Sequence, residues 1–484
     1  MPYPFSEKLN RLIQSRKITV YALAAQSGIN RTLIQKMIKG ERIPAKRGVV
    51  EALAATLMLT PRERSELLES YAAAKVGPDV YERRKAVLDF YNNLPPAPAR
   101  NTAFSEAVPP PRMEKSGETI YGRAEVLNRL TAVLEAEAMR EHGRIRMLAQ
   151  PEFTDLFHFL TVLCMRRKNL TLDHIVCMEN SQGERNALYN LQCLRAMVPL
   201  LVSGCTYRPR GYYDSIGGHY GSTSVLPYLI LTDRSVMRIS YDAGCAVISD
   251  QPEYLRLYHT IFDSISEQAV PLSTTFQSLS QEIDFINRQS PAAGDMDCDF
   301  SAEPCLLLFL PGDMMRRYLD PGLAADPQQM GTVLKYFGTP FFQNRLRSLG
   351  SVYFSAEGME HFLATGRLSE VPPELYRPLN TKDRFRLLRI LYGAALNGTY
   401  RPMLANAQKL RIPPCFSTYT FRGKNIIFMY GSPGREQTVF SFSEESIVTT
   451  IQDFMDCLPE SGLVRTREET LDYLRKLLGS APAE

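Results

Sequence analysis

Residues 18–44 read ITVYALAAQSGINRTLIQKMIKGERIP, two short helix-forming runs each closed by a glycine. Thr19 is placed to cap the first run, YALAAQS, because its hydroxyl can accept from a first-turn amide that has no carbonyl partner. Gly28 ends that run: the residue past a helix C-terminus commonly turns left-handed, a conformation that costs glycine no steric clash. Asn30 caps the second run, which the pattern predicts over Arg31–Lys39, with Gly40 as its stop. On that helix Ile34, Met37 and Ile38 share one face and leave Arg31, Thr32, Gln35, Lys36 and Lys39 largely outside it. Ala24 is small enough to let two helices approach closely, while Leu23, Ile29 and Ile34 can fill the space beneath the turn.

The spacing of Ala24, Gly28 and Ile34, four and then six residues apart, resembles the helix-turn-helix signature of the lambda-repressor-like (Cro, XRE) family. The likeness takes in Phe5–Arg16 as the preceding helix, GERIP after the second motif helix, and the continuation VVEALAATLMLTPRERSELLESYAAA, about residues 5–75 in all. It implies a helical domain that binds a double-stranded DNA operator. Arg31, Thr32 and Lys36 match the positions that usually reach base edges, with Gln35 as a further candidate, and Lys39, Arg42, Lys46 and Arg47 match backbone-contacting positions. With the caps Thr19 and Asn30, these make the candidate DNA-binding set. Val20 departs from the pattern: many family members carry a polar, phosphate-contacting residue there.

Charge points the same way. Residues 1–47 hold ten Lys or Arg against two Asp or Glu, a net of +8, while the whole chain is 56 − 52 = +4, so the other 437 residues sum to −4. A basic concentration on the segment built for a groove is the footprint expected of phosphate contacts.

The remainder is bounded by composition. At 484 residues, 44% hydrophobic and 22% charged, the chain is long enough for several domains and apolar enough for a substantial core. Its longest apolar runs, such as LLLFLP at 306–311, fall short of the roughly 20 residues a membrane span needs, and MPYPFSEKLNRL lacks the apolar stretch of a signal peptide. A cytoplasmic protein with no membrane partner is expected. The nine cysteines show no CxxC pair and no finger-like register with histidine, and are expected to be reduced and mostly buried, with a redox-sensing pair formed in space as the alternative.

Thr60, Pro61 and Glu63 form a helix start with a capping box, and Gly77-Pro78 ends that helix. The stretch DVYERRKAVLDFYNN groups Val80, Val87 and Tyr91 with Tyr81 and Leu88, a stripe suited either to dimerisation or to packing within its own domain. Leu94–Glu118 is rich in proline and reads as a semi-extended linker. Beyond it, RIRMLAQ (144–150), LDHIVCM (172–178), LPYLILT (226–232) and VMRISYD (236–242) read as strands, with helices in PEFTDLFHFLTVLCMRR, ERNALYNLQCLRAMVPLL and QPEYLRLYHTIFDSIS. CLLLFLPG, FSTYTF and NIIFMYG read as further strands, and TREETLDYLRKLL as a last helix with a capping box at Thr466 and Glu469. Two stretches, LPYLILTDRSVMRISYDAGCAVISDQPEYLRLYHTIFDSI and PCFSTYTFRGKNIIFMYGSPGREQTVFSFSEESIVTTIQDFMDCL, share the order strand, strand, strand, helix, as related halves would.

The expected fold is therefore multidomain: an all-α helix-turn-helix domain at 1–77, a helix and linker at 78–118, and a large α/β or α+β body of two halves, 119–290 and 291–484. Catalytic signatures are lacking: the six histidines are dispersed, and no Walker loop, GxSxG or HExxH occurs. GDMDCDF alternates Asp295, Asp297 and Asp299 but lacks the glycine and terminal glutamate of a calcium loop, so it is read as a solvated loop with no metal. SGCTYRPRGYYDSIGGHYGSTS gathers Arg208, Arg210, Tyr212, Tyr213, His219 and Tyr220, suited either to an anionic small-molecule or peptide effector or to covering a sheet edge. The reading is a non-enzymatic transcriptional regulator without a cofactor, a homodimer on its operator. The alternatives are a DNA-tethered enzyme and an antitoxin-like repressor or scaffold holding a partner protein.

Overall fold

The computed structural model describes residues 4–94, 117–180, 184–216, 225–276, 296–322, 330–331, 350–369, 371, 375–414, 416–421, 423–431 and 438–480. The chain divides into two compact units, Met1–Ala86 and Val87–Glu484. The expected line at 77/78 moves to 86/87, inside a helix, and the proline-rich stretch 95–116 lies outside the described residues.

The first unit is helical: α1 Pro4–Ser15, α2 Val20–Ser27, α3 Arg31–Lys39, α4 Arg47–Thr56, α5 Pro61–Val76, and the first turns of α6 Pro78–Asn92. Its core joins Phe5, Leu9 and Leu12 of α1 to Leu23, Ile34, Met37, Leu53, Leu67 and Tyr71, so that each of the first five helices contributes. The Tyr71 hydroxyl, buried, donates to Pro44 O at 3.0 Å and ties the segment after α3 to α5. The capping box of α5 forms as the sequence predicts, with Glu63 N donating to Thr60 Oγ1 and Thr60 N to Glu63 Oε2.

Each half of the second unit builds one sheet. In the first, β1 Glu118–Tyr121, α7 Arg123–Ala138, β2 Arg144–Leu148, α8 Thr154–Arg166, β3 Thr171–Glu179, α9 Glu184–Leu201 and β4 Thr206–Asp214 are followed by β5 Tyr228–Leu231, β6 Val236–Ile239, β7 Cys245–Ser249, α10 Pro252–Gln268 and β8 Val270–Pro271. In the second, β9 Ser273–Phe276, β10 Met296–Phe300, a 3₁₀ turn Leu306–Phe309, α11 Gly312–Tyr318, β11 Ser351–Phe354, α12 Ala356–Thr365, α13 Thr381–Asn397 and β12 Pro402–Leu404 precede β13 Phe416–Phe421, β14 Asn425–Tyr430, β15 Thr438–Phe442 and α14 Glu445–Ser461. The helix α15 Arg467–Gly479 closes the chain.

The sheets run β1-β7-β6-β5-β2-β3-β4-β8 and β9-β15-β14-β13-β10-β11-β12. The two orders superpose strand for strand in chain order. Three parallel strands (β2, β3, β4; β10, β11, β12) are flanked by a three-strand antiparallel meander (β5–β7; β13–β15), with the half's opening strand antiparallel at the far edge. The last element repeats too: β8 pairs antiparallel with β4, and Val464 makes an antiparallel bridge to Ala405, just past β12. Pairing therefore divides the halves at Leu272, earlier than the 290/291 line the sequence suggested.

The expected strands around residues 144, 172, 226, 236, 416 and 425 are present. CLLLFLPG is not a strand: Leu306, Leu307 and Phe309 are buried in a 3₁₀ turn between Pro304 and Pro311, and an apolar run so short does not separate a buried strand from a buried turn by its pattern. GDMDCDF is not a solvated loop either. Met296–Phe300 is a central strand, and Asp299, fully buried, accepts from Ser301 Oγ; Asp295 lies outside the described residues. From the α6 stripe, Tyr91 packs within the second unit: its ring stacks on Phe454 (6.1 Å), lies tilted against Phe300 (4.5 Å), and its hydroxyl donates to Thr418 Oγ1 at 3.1 Å. The eight described cysteines are free thiols, five of them buried. Among the described residues no helix is long and apolar enough to cross a membrane.

Candidate nucleic-acid interface

The interface is built on the α2–turn–α3 segment. Thr19 Oγ1 accepts from Ala22 N at 3.2 Å and Asn30 Oδ1 from Thr32 N at 2.8 Å, so both helices start at the residues whose side chains can satisfy first-turn amides. Gly28 (φ 70°) and Gly40 (φ 75°) close them left-handed, and their amides return to Ala24 O and to Lys36 and Met37 O. The resulting turn is short. It pins α3 through Ile34 and Met37, both fully buried, while Leu33 and Ile38 lie half-buried against the same core.

Anchored this way, α3 turns Arg31, Thr32, Gln35, Lys36 and Lys39 to solvent. Val20, at the position where a phosphate contact is common, is half-buried and packs on the core instead. Exposed Tyr21 beside it, with 71% of its surface free, puts a phenol on the first turn of α2; sequence reasoning passed over it, although an aromatic next to a cap on a short helix was the available signal.

The unit's cations fall into two sets. Lys8 pairs with Glu66 (2.6 Å), Arg11 with Glu7 (3.3 Å), Arg16 with Glu63 (2.6 Å) and Arg47 with Glu51 (3.1 Å). Two of these pairs lie within α1 and within α4; those of Lys8 and Arg16 join α1 and its C-terminal end to α5. They also keep two carboxyls ionised: Thr60's amide and hydroxyl and then Arg16 hold the Glu63 carboxyl below its ordinary pKa, and Lys8 and Arg62 do the same for Glu66. Arg31, Lys36, Arg42 and Lys46 have no ion-pair partner among the described residues, and Lys39 reaches only Glu41, at 3.9 Å. Much of the positive excess outside α3 is thus answered internally, whereas that on α3 and the loop after it faces outward. Such a row donates to phosphates and base edges without first breaking a pair.

Of the expected effector residues, the four that are described do not share one face. Thr206–Asp214 is strand β4, not a loop, and alternation sends Arg208, Arg210 and Tyr212 to one face and Tyr207, Pro209 and Tyr213 to the other. Arg208 Nη1 lies 3.7 Å from Asp173, which also accepts from Arg144 at 2.5 Å. Arg210 Nη1 donates to Ser266 O (2.9 Å) and Ala269 O (2.8 Å), carbonyls left open at the C-terminal end of α10. Tyr212 packs with α10 against the sheet. His219 and Tyr220 lie outside the described residues.

Residues 8–67 match the family described as the Cro/C1-type HTH DNA-binding domain. No curated protein matches the chain. Among solved structures, an archaeal chromatin protein, TrmBL2, whose structure shows a mode of DNA binding, aligns at 12% identity over 55% of this chain and all of its own, with a TM-score of 0.23. The phosphatidylserine synthase of Haemophilus influenzae Rd KW20 aligns at 11% identity over 82% of this chain and 96% of its own, with a TM-score of 0.22. Both superpositions are too loose to bear on function.

Proposed function

We propose, with the Cro/C1-type domain at residues 8–67 as the premise, that this chain is a sequence-specific DNA-binding transcriptional regulator. The observation that carries the reading is the outward row on α3 and its following loop, where Arg31, Thr32, Gln35, Lys36, Lys39, Arg42 and Lys46 are all exposed; the reading assigns the first four to base edges and the other three to phosphates. Arginine donates in a bidentate way to a guanine edge, the Thr32 methyl meets a thymine methyl, and each good pair separates right from wrong base by about 1–3 kcal/mol. One helix reads too few base pairs for tight specific binding, so the reading includes a homodimer on two half-sites about one helical turn apart.

The body is assigned assembly rather than effector capture. Arg208 and Arg210, the two cations that suggested an anion site, are engaged to Asp173 and to the carbonyls of α10.

Selection from random duplexes followed by gel shift tests the reading. The full chain is expected to enrich one two-fold-symmetric site, and Arg31→Ala to lose preference at one base pair of each half-site while keeping its affinity for unrelated DNA. Failure to enrich any site overturns sequence-specific binding.

A further inference from the structure

The body carries the same helix twice, after the same three strands, and among the described residues its outer stripe is covered only once. Counted from their N-cap residues, Gln251 and Glu444, α10 and α14 align without a gap. One stripe meets the sheet in both copies: Leu255, Tyr258, Phe262 and Ile265 of α10 pack against Ile175, Leu229, Leu231 and Val236, and the matching Val448, Ile451, Met455 and Leu458 of α14 are all buried. A second stripe lies about 100° around the helix, the rotation that one residue makes. In α14 it is Ile447, Thr450 and Phe454, each buried: α9 lies over this side, with Asn190 Nδ2 donating to Ser446 Oγ at 2.9 Å, and the Tyr91 ring stacks on Phe454. In α10 the matching residues are Tyr254, Leu257 and Ile261, exposed by 50%, 53% and 40%.

We infer that this stripe is where a second copy of the chain docks, α10 against α10 across a two-fold axis. An isologous contact brings each residue close to its own counterpart, so a charge near the axis would face its like. The face that runs through Tyr254, Leu257, Ile261, Ser264 and Gln268 carries none; Glu253, Arg256 and Glu267 lie off one edge of it, where they form a rim, and Asp263 is on the far side of the helix, paired with Arg146 at 3.3 Å. Large apolar side chains at the centre and charges at the edge are the layout of a stable interface, and the roughly 800 Å² that each partner contributes to one requires the rim to take part. The occupant is a second copy because the repeat shows how this fold treats the same stripe elsewhere: it lays apolar side chains and a further helix over it. The inference rests on the regulator reading only through the need for two copies on DNA.

Light scattering of the full chain without DNA tests it. The wild type is expected to run as a dimer and Leu257→Arg with Ile261→Arg as a monomer of unchanged far-UV circular dichroism. Leu396→Arg, at an exposed position of α13, is expected to stay dimeric. Tyr254→Lys alone, the milder change should the double variant misfold, is expected to weaken the dimer about tenfold or more, one charged side chain buried without a partner. A monomeric wild type, a double variant that remains dimeric, or a Tyr254→Lys dimer of unchanged strength overturns the interface. A chain that dimerises through this face yet enriches no DNA site overturns the regulator reading and leaves the interface standing.

Discussion

Arg47 and Lys46 are neighbours with the same charge and different prospects. Arg47 is half-buried and held by Glu51, while Lys46 is exposed, so Lys46→Ala is expected to lower affinity for every duplex and flatten the slope of log K against log salt by about 0.9. Arg47→Ala should change that slope less; an equal change in the two variants would show that the Glu51 pair opens on DNA. His174 gives a pH signature in the body. Burial holds its imidazole neutral and lowers its pKa to about 4, while Tyr207 Oη at 2.6 Å and Ala149 O at 3.0 Å engage its two ring nitrogens. The unfolded chain takes up this proton near pH 6.5 and the folded chain only near 4. The stability His174 supplies is therefore complete above 6.5 and falls by about 3 kcal/mol as pH drops to 4. His174→Gln, which cannot titrate, should reduce that dependence in chemical denaturation between pH 4 and 6.5; an unchanged dependence would place the titration elsewhere. At this scale the sequence was readable where a residue acts on its own backbone, as with the caps Thr19 and Asn30. It was not readable for Arg208 and Arg210, whose partners Asp173, Ser266 and Ala269 are 35 to 59 residues away along the chain.

Among elements, the helix-turn-helix was legible because its signals are local: a cap, two glycines and an apolar face within 27 residues. Gly28 has open space around it, so its constraint is conformational alone; Gly28→Ala should cost about 1 kcal/mol of domain stability, measured by urea unfolding, and no more. Gly358 is constrained differently. A methyl there would run into the backbone of Ala302 at the end of β10, where α12 begins, so Gly358→Ala is expected to destabilise the body by several times the Gly28 effect. Equal costs would mean that the α12 start can shift away. No local pattern around Gly358 announces this, because Ala302 approaches it through strand pairing. The same limit explains strand β4, whose glycine, arginines and tyrosines looked like ligand chemistry. The alternation that puts Tyr207, Pro209 and Gly211 on one face and Arg208, Arg210 and Tyr212 on the face toward α10 was present in the sequence, and the unusual composition masked it.

At the level of the whole molecule, the strand-strand-strand-helix repeat was visible in two short stretches, but its extent was not. The match of two complete sheet orders, down to β8 on β4 and Val464 on Ala405, depends on pairings that no single stretch encodes. Duplicated modules often unfold one after the other, like beads on a string, and here the seam argues otherwise. A single residue, Leu272, separates the strand that edges one sheet from the strand that edges the other. Its amide donates to Pro209 O at 3.1 Å, and its side chain fills the space over Gly211 that a Cβ would occupy. A seam one residue long leaves no slack, so melting either half pulls an edge strand off the other. Calorimetry of the body should show one endotherm whose van't Hoff and calorimetric enthalpies agree, and Leu272→Gly should begin to split it. Two well-separated transitions in the wild type would show that the rivet at Leu272 does not hold, and the halves would then be free to respond to different signals.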